Sequence, residues 1–389
     1  MGQVFRWLLR IAVGLVVLVV LGVGLVYFLA SQSLPDYDQT QKVAGLTAPV
    51  EIIRDNANVP HIFGADDPDV FFGLGYAHAQ DRLWQMTMLR RTVQGRLSEV
   101  FGPRTLRIDR LLRRLDLYRL AQQSQAVQDE YTRAALKAYA AGVNARLTEI
   151  NEEALGRGAP EMFLFNAPVA PWQPADSIAL VKLLAVQLSG HLEEEVLRAR
   201  TALMLEDNDR LHDILPDAPG TGIAALPEYA QMFPDLPRYA EGAPMSEDPL
   251  SPFPKHGLAG ASNAWAAAPS RSASGGTLLA NDPHLGFSAP STWFLARIEL
   301  QSGGVIGGTI PGIPAVLSGR SRKLGWGITS SYLDDQDVFI EKINPQNPDE
   351  YLTPDGYKEF VSRPSIIQIK DAAPITLTLR WTENGPVLP

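Results

Sequence analysis

Hydrophobic residues follow different patterns in the two halves of this chain. In the first half they recur every three or four positions, and one such series is Leu83, Met86, Leu89, Val93, Leu97 and Val100. This spacing predicts a helix with one buried face, beginning at Asp67 with Pro68 in its first turn and ending by Gly102 and Pro103. Further helices are predicted over residues 117–128, 130–148 and 176–205. The first half is therefore expected to be mainly helical.

After residue 262, short runs of β-branched and aromatic residues bounded by Gly and Pro become the dominant pattern. Such runs predict strands, here over residues 263–268, 277–281, 293–300, 305–310, 324–330, 338–343, 366–370 and 375–382. Two more strands, 49–54 and 61–63, are predicted on either side of a turn near the beginning of the chain. Helices followed by strands indicate an α+β fold in which the two kinds of element are segregated.

The N-terminal segment, residues 1–33, contains an uncharged apolar run over residues 11–30, preceded by Arg6 and Arg10. About 20 apolar residues are needed to span the ~30 Å hydrocarbon layer of a membrane as a helix. Because the apolar region of a signal peptide is typically about 7–15 residues long, the length favours a membrane anchor, with a cleaved signal peptide as the alternative. In both cases the basic flank stays inside and the rest of the chain is exported, which predicts a periplasmic or other extracytoplasmic location.

Composition excludes several classes of function. The net charge is −9 and no basic cluster is present to neutralise phosphates, which argues against a nucleic-acid partner. The chain has no Cys, so disulfides and thiol chemistry are excluded. Residues 208–261 are rich in Pro and Gly and show no periodicity. Because a structureless loop of this length is unusual inside a compact domain, this stretch is interpreted as a linker.

The linker ends at a small-residue junction, Gly260-Ala261-Ser262. If the bond after Ala261 is cut, the new α-amino group of Ser262, with an ordinary pKa of about 7.7–8.0, can accept the proton of its own hydroxyl. Nucleophile and base then lie on one residue. The predicted hairpin formed by the next two strands returns His284, in Asn281-Asp282-Pro283-His284, towards Ser262.

Several segments after Ser262 resemble, in the same order, the beginning of the β subunit in the penicillin acylase family of N-terminal nucleophile hydrolases. They are Ser262-Asn263-Ala264-Trp265, Asn281-Asp282-Pro283-His284-Leu285-Gly286, Ile310-Pro311-Gly312-Ile313-Pro314, Gly325-Trp326-Gly327-Ile328-Thr329-Ser330 and Asp334-Asp335-Gln336-Asp337. Upstream, the stretch from Gly73 to Met86 is similar to the start of the family's α subunit. The resemblance extends from about Ala48 to Pro389.

The resemblance implies a four-layer αββα core and an exported amidohydrolase that cleaves a small-molecule N-acyl amide. It also implies a precursor that matures into an α/β heterodimer by losing residues 208–261. Residues 34–207 then correspond to the α subunit and residues 262–389 to the first part of the β subunit. The apolar run of residues 11–30, by contrast, predicts that the N-terminal helix links the enzyme to the membrane.

The resemblance assigns roles to three residues of the predicted catalytic site. Ser262 is the nucleophile, the backbone N–H of Ser330 is a donor to the oxyanion, and His284 orients the α-amine of Ser262 or a bridging water. Position 284 is occupied by Gln or His in the family, and His occurs in relatives that act on cephalosporin side chains or acyl-homoserine lactones. A β-lactam side-chain amide, an acyl-homoserine lactone and another N-acyl amide all remain open as substrates.

The resemblance also implies one structural Ca²⁺ ion. Asp334, Asp337 and the backbone carbonyl of Gln336 match the family's calcium loop, and Glu195 matches a ligand from the α subunit, with Glu194 as the alternative. Hard oxygen donors of this kind suit Ca²⁺. A zinc site is not expected, because His191 and Glu195 have no third ligand at zinc spacing.

Family precursors continue past the position that matches Pro389, and the second oxyanion donor comes from that later part. We therefore expect the 389 residues to lack part of the catalytic site. The alternative to an amidohydrolase is an inactive remnant or a binding protein of the same fold.

Overall fold

The computed structural model describes residues 2–153, 158–165, 169–189, 191–205, 210–211, 262–283, 288–329 and 336–388. The chain divides into two compact units. The first unit comprises Met1–Arg91, Tyr118–Leu180 and Phe287–Trp326, and the second comprises Thr92–Leu117, Val181–Gly286 and Gly327–Pro389. The bounds predicted for the leader, the α-subunit-like region, the linker and the β-subunit-like region remain predictions.

The described helices confirm that the first half is mainly helical. They are α1 (Gly2–Ser31), α2 (Asp67–Val93), α3 (Ser98–Phe101), α4 (Leu106–Leu115), α5 (Leu117–Ala126), α6 (Glu130–Glu153), α7 (Glu161–Leu164), α8 (Pro174–Ser189) and α9 (His191–Met204). The helix predicted over residues 176–205 is thus described as α8 and α9, with residue 190 outside the described residues.

In the described residues, two strands precede the first long buried helix and the others follow residue 261. They are β1 (Glu51–Arg54), β2 (Pro60–Phe63), β3 (Ser262–Ala267), β4 (Leu278–Pro283), β5 (Phe294–Leu300), β6 (Gly303–Thr309), β7 (Ser318–Arg320), β8 (Gly325–Trp326), β9 (Ile343–Asn344), β10 (Asn347–Thr353), β11 (Gly356–Glu359), β12 (Val361–Ile367) and β13 (Ile375–Trp381).

The first unit is built on a six-stranded sheet of order β1-β2-β5-β6-β7-β8. Strands β2 and β5 are parallel, and the other neighbours are antiparallel. Helix α2 packs closely on the sheet, because a Cβ at Gly73 would lie 2.6 Å from Cγ2 of Ile62. Ile62, Leu74 and Ala296 are fully buried in this core.

Helices α2 and α6 approach each other at two glycines. A Cβ at Gly75 would lie 2.2 Å from the backbone oxygen of Tyr139, and one at Gly142 would lie 1.9 Å from that of Phe72. No side chain fits at either position. The two backbones therefore lie in direct contact.

Among its described residues, the second unit contains three small antiparallel sheets. They are the hairpin β3-β4, the three-stranded sheet β11-β10-β9 and the hairpin β12-β13. Helix α4 lies against β12 and β13, and Arg113 of α4 contacts Ser365 of β12 at 3.5 Å. Lys370 donates its backbone N–H to the carbonyl of Ser98. These contacts connect residues that lie far apart in the sequence.

The first predicted helix ends earlier than its apolar spacing indicates. Helix α2 ends at Val93, and Gly95 follows with a φ of +60°, where a Cβ would lie 2.8 Å from the backbone oxygen of Asp109. The buried carboxylate of Asp109 accepts the backbone N–H groups of Leu97 and Ser98 at 2.9 and 2.7 Å. The carboxylate of Asp109 thus satisfies the first N–H groups of a new helix, α3, which lies inside the predicted one.

Other differences from the predicted elements have similarly local causes. Helix α4 is absent from the predictions because the Gly102-Pro103 pair before it is a typical helix stop. The strand predicted over residues 338–343 is wrong: residues 338–342 are irregular, and only Ile343 enters the bridge to β10. The side chains of Val338, Phe339 and Ile340 are largely exposed, so the apolar run that predicted a strand is not buried in the described structure.

Candidate active site

Ser262 is the first residue of β3, and β3 forms an antiparallel hairpin with β4. In this hairpin Ser262 lies opposite Pro283 and Asn263 lies opposite Asp282. The connection contains a 3-10 turn at Pro269–Arg271 and Gly275 with a φ of +71°. The predicted hairpin is therefore confirmed, and it brings the residue that precedes His284 next to Ser262. His284 itself lies outside the described residues.

Asn281 joins this hairpin to the segment that follows β8. Its Nδ2 group donates to the carbonyl of Asn263 and to the carbonyl of Ile328, both at 3.0 Å, and its Oδ1 accepts the backbone N–H of Ile328 at 3.2 Å. A Cβ at Gly327 would lie 2.7 Å from Cβ of Asn281. The backbone of residues 327–328 is thus held beside the second residue of β3. Ser330, the predicted oxyanion donor, lies outside the described residues.

The predicted metal ligands are only partly described. Glu195 lies half-buried on α9, Gln336 is half-buried and Asp337 is exposed, whereas Asp334 lies outside the described residues. Among the residues that the structure describes, no group of three or more His, Asp or Glu side chains could hold a metal ion. The calcium site therefore stays a prediction.

The sequence block from Gly73 to Met86 supplies a fully buried histidine, His78, on α2. Its Nδ1 lies 2.7 Å from the hydroxyl of Tyr139 and its Nε2 lies 2.9 Å from the hydroxyl of Thr309. Thr309 donates to the carbonyl of Phe294, and Tyr139 accepts the backbone N–H of Gly312 at 2.8 Å. The chain of hydrogen bonds links α2 and α6 to the Ile310-Pro311-Gly312 loop within the first unit.

The hydrogen-bond partners at the two ends, Tyr139 and Thr309, determine which nitrogen of His78 carries the proton. Because the single hydroxyl proton of Thr309 goes to Phe294, Thr309 accepts from Nε2–H, and Nδ1 accepts from Tyr139. Burial, with a smaller contribution from the charge of Arg82, lowers the pKa of His78 to about 3. Burial likewise raises the pKa of Tyr139 well above its usual range. Both side chains are neutral, and each has a hydrogen-bond partner.

Sequence reasoning gave no role to Asn281, Gly327 or His78. All three lie inside the quoted family motifs, so the motifs themselves were the available signal. The sequence alone could not predict their contacts, because each contact joins residues from separate parts of the chain.

The chain is similar to proteins of one known family. The penicillin amidase family model matches residues 49–389. An acyl-homoserine lactone acylase QuiP of Pseudomonas aeruginosa is 34% identical over 92% of this chain and 42% of its own length. Penicillin acylase 2 proenzyme of Pseudomonas sp. (strain SE83) is 29% identical over 92% of this chain and 46% of its own length. Penicillin G acylase of Escherichia coli is 27% identical over 87% of this chain and 45% of its own length.

The chain thus spans less than half the length of these curated relatives. The family match nevertheless covers most of the chain and includes every residue predicted for catalysis and metal binding. The chain belongs to the penicillin amidase family.

Proposed function

We propose that the protein is an exported acylase that hydrolyses a linear amide with Ser262 as an N-terminal nucleophile. The observation that carries the proposal is the register of the β3-β4 hairpin together with the contacts of Asn281. They bring Ser262, Pro283 and the backbone of Gly327 and Ile328 into one neighbourhood. Acylases at up to 34% identity support the reaction class, which is hydrolysis of non-peptide C–N bonds.

In the proposed reaction Ser262 Oγ attacks the amide carbonyl while the α-amino group of Ser262 accepts the hydroxyl proton. That proton is then donated to the departing amine, and an acyl-enzyme ester remains. Attack by water on the ester releases the carboxylic acid and regenerates Ser262. The backbone N–H of Ser330 stabilises the oxyanion, a contribution worth about 10²–10³ in rate. His284 orients the α-amine of Ser262 or a bridging water.

An acyl-homoserine lactone is proposed as the first substrate to examine. The relatives with 34% and 33% identity are named as acyl-homoserine lactone acylases, and penicillin acylases follow at 29% and 27%. The amide bond of such a lactone is a small-molecule N-acyl amide, as is the side-chain amide of a penicillin. A β-lactam side-chain amide is therefore the second substrate class.

We further propose that α1 is retained as a membrane anchor and that the rest of the protein lies in the periplasm. Residues 2–28 have a mean hydropathy of 2.8 and are exposed, properties shared by anchors and signal sequences. The polar segment that follows is held by Tyr37, which donates to Asp81 at 2.7 Å, and by Thr47, which donates to Asp69 at 2.6 Å. These contacts hold the polar segment to the first unit whether or not α1 is cleaved. Retention of α1 is proposed from its length, because the apolar region of a signal peptide is typically about 7–15 residues long.

The four-layer αββα core, the α/β heterodimer and one Ca²⁺ ion belong to the same proposal. Glu195, Gln336, Asp337 and Asp334 would supply carboxylate and carbonyl oxygens, which is the donor set that Ca²⁺ prefers. The ion would have a structural role, because none of these residues takes part in the proposed acyl transfer.

The test uses the full-length protein and its Ser262→Ala variant. We expect mass spectrometry to show cleavage between Ala261 and Ser262 in the wild type only. We also expect amine release from a panel of acyl-homoserine lactones, penicillin G and phenylacetyl amides. An uncleaved wild-type protein that binds these amides without hydrolysing them would favour the inactive, ligand-binding alternative. Full activity of Ser262→Ala would contradict the nucleophile assignment.

A further inference from the structure

We propose that Asn281 is a positioning residue for the amide hydrolysis proposed above, on which this inference rests. Its side chain holds the backbone of Gly327 and Ile328 against the strand that begins with Ser262. The two carbonyl oxygens that it contacts, of Asn263 and Ile328, belong to segments 65 positions apart in the sequence. One side chain thereby fixes the distance between them.

The carboxamide of Asn281 has the donors and the acceptor that the neighbouring backbone groups require. It has two N–H donors and one carbonyl acceptor, and here the donors go to two different carbonyls while the acceptor takes the N–H of Ile328. The pair of bonds to Ile328 imitates the exchange between two peptide groups in an antiparallel sheet. An aspartate of the same shape accepts only, so it would place a carboxylate against two carbonyl oxygens.

In the described structure, the backbone of residues 327–329 forms no strand pairing that could replace the contact with Asn281. Strand β8 ends at Trp326, and residues 327–329 lie outside any strand in the described structure. The side chain of Ile328 is 42% exposed, so its packing is incomplete. In the part of the chain that the structure describes, the backbone of Ile328 is held by the hydrogen bonds of Asn281.

Gly327 makes the close approach feasible. A Cβ at this position would lie 2.7 Å from both Cβ and Cγ of Asn281, which is closer than real side chains come. Alanine at position 327 would push the segment away from β4 without changing the chemistry of Asn281. The same geometry can thus be disturbed from either side.

The two segments held by Asn281 are close in sequence to the proposed catalytic residues. Ser262 precedes Asn263 directly, and Ser330 follows Ile328 by two residues, so the held segments lead directly to the nucleophile and to the proposed oxyanion donor. A displacement of about 1 Å in a reacting geometry can cost about 10²-fold in rate. The loss should fall on kcat, because the donor acts on the transition state rather than on the bound substrate.

The test compares Asn281→Asp, Asn281→Ala and a control, Leu279→Ala, in the full-length protein. Leu279 lies on the same strand opposite Ala266 and does not share the contacts of Asn281. We expect kcat to fall about 100-fold in both Asn281 variants, with KM within about threefold of wild type because substrate binding is not the affected step. Leu279→Ala should keep both constants within about threefold. A kcat within threefold of wild type in Asn281→Asp would overturn the proposal.

A second readout does not depend on activity. In Asn281→Ala the amide of Ile328 loses its acceptor, so its hydrogen exchange should accelerate to the rate of an exposed loop amide, whereas Leu279→Ala should leave it protected. Unchanged exchange in Asn281→Ala would refute the contact even in a protein that hydrolyses no amide. If the wild type is inactive but exchange responds as expected, the proposed function fails and the structural contact stands.

If an Asn281 variant does not fold, Gly327→Ala provides the same test from the other side. It should lower kcat by a similar factor without a matching change in KM, and full activity of a folded Gly327→Ala variant would contradict the proposal. In folded double variants the effects should not be additive, because both substitutions act on one contact.

Discussion

At the scale of single residues, His78 couples the stability of the first unit to pH. Burial keeps it neutral, and its pKa of about 3 lies below the ordinary value of 6.5. Between these two values the unfolded chain binds a proton that the folded chain excludes. The free energy of unfolding should therefore fall as the pH is lowered from 6.5 towards 3, by up to about 1.4 kcal/mol per pH unit.

The variant His78→Leu should reveal this dependence. At pH 7.5 it should lose about 1–3 kcal/mol, because the hydroxyl of Tyr139 is left without its acceptor. Below pH 6.5 the difference from wild type should shrink, since the variant has no group to protonate. Urea unfolding at several pH values measures this difference in the free energy of unfolding. His61→Leu serves as a control, because His61 lies outside the buried hydrogen bonds of His78. A constant difference from pH 7.5 to 4 would contradict the assignment.

At the scale of elements, the α2-α6 contact predicts a reversal of the usual helix preference. Alanine is normally more favourable than glycine inside a helix by about 1 kcal/mol. At position 142, however, a Cβ would lie 1.9 Å from the backbone oxygen of Phe72, so Gly142→Ala has to push two helices apart. We expect a loss of several kcal/mol, by analogy with overpacked cores.

The control for this element is the opposite substitution on the same helix, Ala134→Gly. Ala134 is exposed on α6, so the change should cost only the helix preference of about 1 kcal/mol. Thermal unfolding of both variants separates the two effects. Stabilisation of the protein by Gly142→Ala would show that the helices do not meet at this point.

The sequence predicts the elements that depend on local patterns and misses those that depend on distant contacts. Apolar spacing located α2, α5 and α6, and two strand-like runs separated by a turn located the β3-β4 hairpin, because these elements are set by local patterns. The start of α3 involves Asp109, a carboxylate twelve residues after Leu97 that accepts the N–H groups of Leu97 and Ser98. Likewise, the role of Asn281 depends on Ile328, 47 positions away. Periodicity carries no information about either contact.

For the molecule as a whole, the proposed maturation gives the predicted calcium ion a role in holding two chains together. Glu195 precedes the 208–261 linker, whereas Asp334, Gln336 and Asp337 follow the cleavage site at Ser262. An ion bound by both groups would connect the two chains that remain after processing. Its binding free energy would then add to the association of the heterodimer as well as to folding.

The expected outcome is a melting temperature that depends on Ca²⁺. A ligand bound only by the native state adds RT ln(1 + [L]/Kd), or about 2.7 kcal/mol at 100 times its Kd. Thermal unfolding of the mature full-length protein should therefore differ by several degrees between millimolar Ca²⁺ and a chelator, and Mg²⁺ should not replace Ca²⁺. Asp337→Asn should abolish the difference, whereas Asp355→Asn, at a side chain that is 86% exposed, should retain it. Identical melting in Ca²⁺ and chelator would remove the metal site while leaving the role of Ser262 intact, since the proposed acyl transfer uses none of the metal ligands.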